Sequence, residues 1–329
     1  MRLFLSALLL AGTANALARP NTAETAQRAA QTRVSQAPEQ NQNVKVNDDA
    51  RVVLVGKSGW LFYEPELKFS DYRPNIKSIA YVSEQLRRKN IQLLVTLSPI
   101  KARIYEQYLP QPLPANIKNR YSEVIADLSK AGVHTVDLNT DLPDKAKSLP
   151  TLLYYRQDSH WNDEGAFVAA KPIAEAVARL IDLSKVPDVN YKLSRTTSTH
   201  QGDLMLKLSA AQRVNYPPES TKIISAESLA LASTLTTDTP SPQIVEVGAS
   251  YSAVGSFVPS LAYNLHKDVL NRAVSGLGPW KALGDYLTSQ NFAKSPPKII
   301  IWEITERDIG WLTNQEWLDT TFKNNQAFK

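Results

Sequence analysis

The chain has 329 residues, 43% hydrophobic and 21% charged, enough to bury one large core or two modest ones without metals or cross-links. Its formal charge of +5, with no Lys/Arg tract and no nucleic-acid motif, ranks acidic polymers or anionic membrane surfaces above nucleic acid as partners. The absence of cysteine excludes a thiol nucleophile, thiolate metal sites and disulfides.

Residues 1–18 carry one basic residue, Arg2, then an apolar run from Leu3 to Gly12. The small-x-small sites Ala14-Asn15-Ala16 and Ala16-Leu17-Ala18 follow, which is the anatomy of a cleaved signal peptide. The run falls short of the ~20 apolar residues of a membrane span. An exported, periplasmic protein is expected, with an uncleaved N-terminal anchor as the alternative. Residues 19–49 are rich in Ala, Gln, Thr and Asn and cannot bury enough surface to offset chain entropy, so a mobile leader is expected there. Residues 50–329 are read as one domain.

That domain opens on "RVVLVGKSGWLFY", two apolar runs around a glycine-containing turn, which predicts a hairpin. A helix is predicted over 75–89, a strand over 91–97, a helix over 117–131 closed by Gly132, and a strand over 133–138. Ala166, Ala169, Ile173, Val177 and Leu180 form a helical stripe, in which Pro172 predicts a kink or a broken first part. The stretch 183–242 is polar and turn-rich and reads as an irregular excursion. Short apolar strands follow over 243–248, 268–274 and 298–304. Strands alternating with helices predict an α/β fold: a three-layer α/β/α sandwich around a mostly parallel sheet.

Active sites in such sheets gather at the carboxyl ends of strands. The strand "IVEVG" runs straight into "ASYSA", where Ser250 sits among small residues on a tight turn. The G-x-S-x-G elbow is incomplete here, so a turn or helix-cap serine is the competing reading. A serine hydroxyl needs a base, and the base needs a group that fixes its tautomer. "DSHWNDEG" supplies both: Asp158 and His160, two residues apart on an extended loop, can point the same way, with Asn162 capping the following helix. Asp163 and Glu164 suit the positive end of that helix. His134 begins a strand and reads as structural; His266 reads as a surface or helix-end residue. His200 and Asp203, in "STHQGD", can join Asp158 and His160 as metal ligands, but no spacing such as H-E-x-x-H is present, and no metal is assigned.

Seven motifs occur together in one order: "GKSGWLFY", "SPIKARIYEQYLP", "DSHW", "HQGDL", "VGASYS", "VSGLGP" and "WEITERDI". The set resembles the bacterial polysaccharide O-acetyltransferases of the AlgX/AlgJ type, with an SGNH-hydrolase-like domain, over about residues 50 to 310. The resemblance implies Ser250 as nucleophile, His160 as base and Asp158 as its orienting acid, with the Asp-His box preceding the serine. Ala249 stands where threonine is expected in the turn. The chain ends soon after the W-E-x-x-x-R element, so no room is expected for the carbohydrate-binding module that some relatives carry. The implied acceptor is an anionic or neutral exopolysaccharide, alginate first. The implied partners are a membrane-bound acetyl-donor protein and other export subunits, with no cofactor. The Ser250 N–H is the first oxyanion donor, with Gly276 or Gly278 for a second. Tyr251, Lys101, Arg103 and Arg307 are candidates for gripping a carboxylated sugar, against the alternative of ordinary ion pairs. Trp161 is expected as a pocket wall, and Trp60 and Trp302 as core. An acetyl esterase using the same triad and a non-catalytic polymer-binding subunit are the rival functions.

Overall fold

A computed structural model of the chain describes residues 52–229, 242–253, 255–311, 313 and 315–328. The expected signal peptide and the whole of the expected leader, residues 19–49, lie outside the described residues. The fold opens on the predicted hairpin, β1 (Val53–Val55) and β2 (Leu61–Tyr63), paired antiparallel around a turn where Gly59 takes φ +76°. Next come α1 (Arg73–Arg88), β3 (Gln92–Ser98), α2 (Ala115–Lys130), β4 (His134–Val136) and α3 (Leu138–Ser148). They are followed by α4 (Asp163–Leu180), β5 (Tyr191–His200), β6 (Glu219–Ser228) and β7 (Ile244–Val247). The longer elements end with α5 (Phe257–Leu265), β8 (Val269–Asn271), α6 (Gly278–Leu287) and β9 (Ile299–Thr305).

Five strands form one parallel sheet in the order β4-β3-β9-β7-β8. β9 is buried on both faces and mostly apolar because helices cover both sides of it. Ile299 and Ile301 pack with α4 and α5; Ile300, Trp302 and Ile304 pack with α1 and α6 on the opposite side. The sheet is therefore the middle layer, as predicted. Helix α2 ends as its sequence indicates: Gly132 takes φ +75°, its N–H donates to the Ser129 carbonyl (3.0 Å) and Val133 N–H to Leu128 (3.0 Å). Pro172 does not break α4, which is helical throughout Asp163–Leu180.

Within 183–242, expected to be an irregular excursion, residues 191–200 and 219–228 are regular, while 230–241 lie outside the described residues. β5 and β6 form a ten-residue antiparallel ladder from Tyr191–Ser228 to His200–Glu219. Asp163, in the first turn of α4, fastens it by accepting from Ile224 N–H (2.8 Å) and from the Ser256 hydroxyl. That acid therefore ties two layers together as well as suiting the helix terminus. Among the described residues no helix is long and apolar enough to cross a membrane.

Candidate active site

β7 delivers the serine. Its last residue, Val247, is followed by Gly248 and Ala249, and Ser250 opens a one-turn helix, Ser250–Ala253. Gly248 must lack a side chain: a Cβ there would fall 2.7 Å from Glu246 Oε1 and 2.8 Å from Ser252 Oγ. Glu303 of β9 fixes the turn from below, its Oε2 accepting from Ala249 N–H (3.0 Å). Burial raises the carboxyls of Glu303 and, much further, Glu246.

The Asp158–His160 loop meets this turn at the carboxyl end of the sheet. His160 Nε2 lies 2.7 Å from Ser250 Oγ and its Nδ1 lies 2.7 Å from Asp158 Oδ1. With Asp158 ionised, Nδ1–H donates to it and Nε2 is left to accept from the serine hydroxyl. Asp158 Oδ1 also accepts from His160 N–H (3.0 Å), while Oδ2 accepts from His200 Nε2–H (2.8 Å) and Asp203 N–H (3.0 Å). Burial pushes the Asp158 carboxyl up, but the hydrogen bonds from His160 and His200 win and hold it well below the usual carboxylate range. The three predicted residues are thus brought together into a Ser-His-Asp relay.

His200, by sequence no more than a possible metal ligand, is a second histidine on the orienting acid. It ends β5, stacks on Tyr155 (centroids 3.8 Å apart), and faces Glu219 across the ladder. Glu219 reaches the same loop, accepting from Gln157 N–H (2.8 Å) and Arg156 N–H (3.0 Å). Asp158, His160 and Asp203 bring ligand-type atoms within 4.8 Å of one another. Those atoms are turned on protein partners: Asp203 accepts from Ser159 N–H (2.7 Å) and Ser159 Oγ–H (2.8 Å).

Several expected sugar contacts face inward. Lys101 is fully buried and donates to the carbonyls of Tyr155 (3.1 Å), Arg156 (3.0 Å) and Asp158 (2.6 Å). Desolvation brings its amine down to about 8. Arg103 is held by Glu306 (2.7 and 3.0 Å), which also takes Arg120 (3.2 Å), and by the carbonyls of Ile117 and Lys118. Neither grips a ligand, because each already satisfies groups inside the fold. Arg307 pairs with Glu66 (2.9 Å) and lies over the Tyr251 ring, 5.4 Å from its centroid. Burial pushes Glu66 up to about 7 even with Arg307 beside it. Tyr251 is buried; its hydroxyl donates to the Ser159 carbonyl (2.6 Å) and its ring backs His160 at 4.9 Å. Trp161 is a buried wedge rather than a pocket wall, donating to the Tyr251 carbonyl (3.0 Å) and packing on Phe257. Gly276 lies in an exposed turn at φ +78°, and Gly278, at φ +74°, is buried against the Trp311 indole. His266 is the left-handed cap of α5 (φ 52°) and His134 begins β4, as read from the sequence.

The family model for the SGNH hydrolase-like domain of acetyltransferase AlgX matches residues 53–306. The "Probable alginate O-acetylase AlgJ" of Pseudomonas fluorescens is 30% identical over 274 residues, which are 79% of this chain and 69% of that protein. The O-acetyltransferase domain of Pseudomonas putida AlgJ superposes with a TM-score of 0.72 at 26% identity, over 82% of this chain and 98% of that one. Pseudomonas aeruginosa AlgX superposes with a TM-score of 0.68 at 25% identity, over 82% of this chain and 65% of that one. The parallel sheet, the serine turn and the matched span together place this chain in the family of AlgX-type acetyltransferases with an SGNH hydrolase-like domain.

Proposed function

We propose that this chain transfers acetyl groups, through an ester on Ser250, onto hydroxyls of an exported polysaccharide. Alginate, the polymer in the name "Probable alginate O-acetylase AlgJ" of its relatives, is the acceptor proposed here. The observation that carries the reading is the relay itself: Ser250 Oγ, His160 Nε2 and Nδ1, and Asp158 Oδ1 joined by two contacts of 2.7 Å.

His160 Nε2 takes the Ser250 proton as Oγ bonds to the acetyl carbonyl carbon of the donor. The tetrahedral intermediate collapses and the donor's leaving atom takes that proton from His160. A sugar hydroxyl then gives its proton to His160 and attacks the acetyl ester, and collapse returns the proton to Ser250 Oγ. Asp158 stays ionised and balances the imidazolium in both halves. The Ser250 N–H, at the head of its helical turn, is the first donor to the oxyanion; loss of one such donor costs on the order of 100-fold. The acceptor and donor are expected outside the cytoplasm, following the N-terminal signal, with a membrane protein supplying the acetyl group.

The test is the intact mass of the protein mixed with an activated acetyl ester, alongside Ser250→Ala. A single acetyl adduct on the wild type, absent from the variant and discharged onto oligomannuronate, supports the transferase. Discharge to water alone converts the reading to an esterase. No serine-dependent adduct on folded protein overturns acyl transfer and leaves a polymer-binding subunit.

A further inference from the structure

Single exposed apolar side chains are ordinary, and it is large ones brought together on a held backbone that mark a surface for binding. Trp311 is 52% exposed and Leu277 is 54% exposed. The backbone beneath Trp311 is firmly held. Its carbonyl accepts from Trp280 Nε1–H (2.8 Å) and Asn75 Nδ2–H (2.8 Å), and its N–H donates to Asp308 (2.9 Å). Asn75 is buried and also takes the Ile309 carbonyl (2.7 Å) and Thr313 N–H (3.2 Å). Gly310 approaches Ser70 so closely that any Cβ would overlap it. The indole itself rests on Gly278, where an added Cβ would enter the ring. The benzo edge of the indole is therefore set against Gly278, which fixes where the half-exposed ring stands.

The position lies toward the same end of the sheet as the relay. Trp311 follows β9 and Leu277 follows β8, so both lie at the carboxyl end of the sheet, where Ser250 follows β7. Val274 N–H donates to the Gly248 carbonyl (3.0 Å), which anchors the Leu277 loop two residues before the serine. Arg307, four residues before Trp311, lies over the Tyr251 ring that backs His160.

We propose that Trp311, seated on Gly278 and flanked by Leu277, is the platform on which a pyranose ring of the acceptor stacks beside the serine. The inference rests on the polysaccharide reading above and adds the residue that holds the sugar. An indole face is electron-rich, and one face of a pyranose presents a patch of C–H groups that it attracts. A rigid aromatic supplies that contact with little loss of side-chain freedom. Lys101 and Arg103 are committed inside the fold, so the apolar platform takes over the gripping role expected of them.

The experiment measures oligomannuronate binding by calorimetry to full-length protein carrying Ser250→Ala, so that no turnover intervenes. Adding Trp311→Ala is expected to weaken Kd on the order of tenfold, and Trp311→Phe by a smaller factor because a ring remains. Saturation of the Trp311 indole protons is expected to transfer to sugar C–H protons of one face. Leu277→Asn, a change in an exposed turn, is expected to weaken binding severalfold and serves if Trp311→Ala does not fold. Unchanged Kd in Trp311→Ala and Leu277→Asn overturns the proposal, as does a Ser250→Ala protein that binds no oligosaccharide. Trp311-dependent binding by a wild type that never forms an acetyl-serine supports the platform while overturning the transferase.

Discussion

Replacing His200 with alanine removes one of four donors from the carboxylate that orients the base. Asp158 accepts at 2.7 and 3.0 Å from His160 and at 3.0 Å from Asp203 N–H, and only the 2.8 Å bond from His200 comes from a separate side chain that a substitution can delete cleanly. A hydrogen bond to a charged group contributes about 1.5–3 kcal/mol. Each 1.36 kcal/mol lost from transition-state stabilisation is about tenfold in rate, so kcat/KM for acyl transfer is expected to fall roughly 10- to 100-fold. The structure also shows how the failure would occur. Ser159 Oγ lies 3.3 Å from His160 Nδ1 and donates to Asp203. Once Asp158 drifts, the imidazole gains a competing acceptor and Nε2 turns away from Ser250.

Two further variants separate this role from packing. His200→Phe keeps a ring on Tyr155 but has no donor, and it is expected to be as slow as alanine. His200→Gln restores an N–H of similar reach, and it is expected to recover much of the rate. The assay is the burst of leaving group from an activated acetyl ester, followed across roughly pH 6 to 9, with thermal melts run in parallel. If alanine and phenylalanine both stay within about twofold of wild type while melting earlier, His200 merely braces the hairpin and the orienting argument is wrong.

Lys101→Met leaves three carbonyls without their common donor, and each unpaired buried acceptor costs about 1–3 kcal/mol. A loss of several kcal/mol is expected in urea unfolding, reduced by no longer burying an ammonium. The same lysine has a pH signature. Its amine sits at about 8 when folded, against about 10.4 in the unfolded chain. Between those values the unfolded state holds the extra proton, so its contribution to stability grows as pH rises. Subtracting the Lys101→Met profile from wild type should show that alkaline rise; a flat difference would refute the buried-ammonium assignment. Gly202→Ala places a Cβ onto the Gln157 carbonyl and pushes His200 and Asp203 off Asp158. Its kcat/KM should fall at least about tenfold, and wild-type kinetics would refute the close approach.

The sequence carried the sheet because buried parallel strands are written as nearly continuous apolar runs such as "KIIIWEI". It carried the ends of α2 and α4 because Gly132 and Asn162 act locally. The β5–β6 ladder was hidden for the opposite reason. β5 is "YKLSRTTSTH", polar and largely exposed, and residues 201–218 between its strands contain no two-residue turn signal. Its β-branched Thr196, Thr197, Ile223 and Ile224 were the available clue. Losing the ladder meant losing His200 and Glu219 as partners of the Asp158 loop. The inward facing of Lys101 and Arg103 is not legible in the sequence because burial is decided by distant segments, which no local pattern records.

The loop from Tyr155 to His160 shows why such a site depends on the whole fold. It has no regular ladder of its own, so its polar backbone must find partners elsewhere. Lys101 takes three of its carbonyls, Leu61 N–H takes Arg156 (2.9 Å), Met205 N–H takes Gln157 (3.3 Å) and Tyr251 takes Ser159. Glu219 binds the N–H groups of residues 156 and 157, Asp203 that of 159, and Asp158 that of 160. The partners come from β2, from the turns after β3 and β7, from the start of β6 and from the segment between β5 and β6. No one of them is chemistry, yet together they leave the loop few alternative conformations. His160 therefore meets Ser250 in a geometry set before any substrate arrives, so little reorganisation remains to be done during acyl transfer. Lys101, by sequence a candidate sugar contact or an ordinary ion pair, is on this account a principal reason that the base stands where it does.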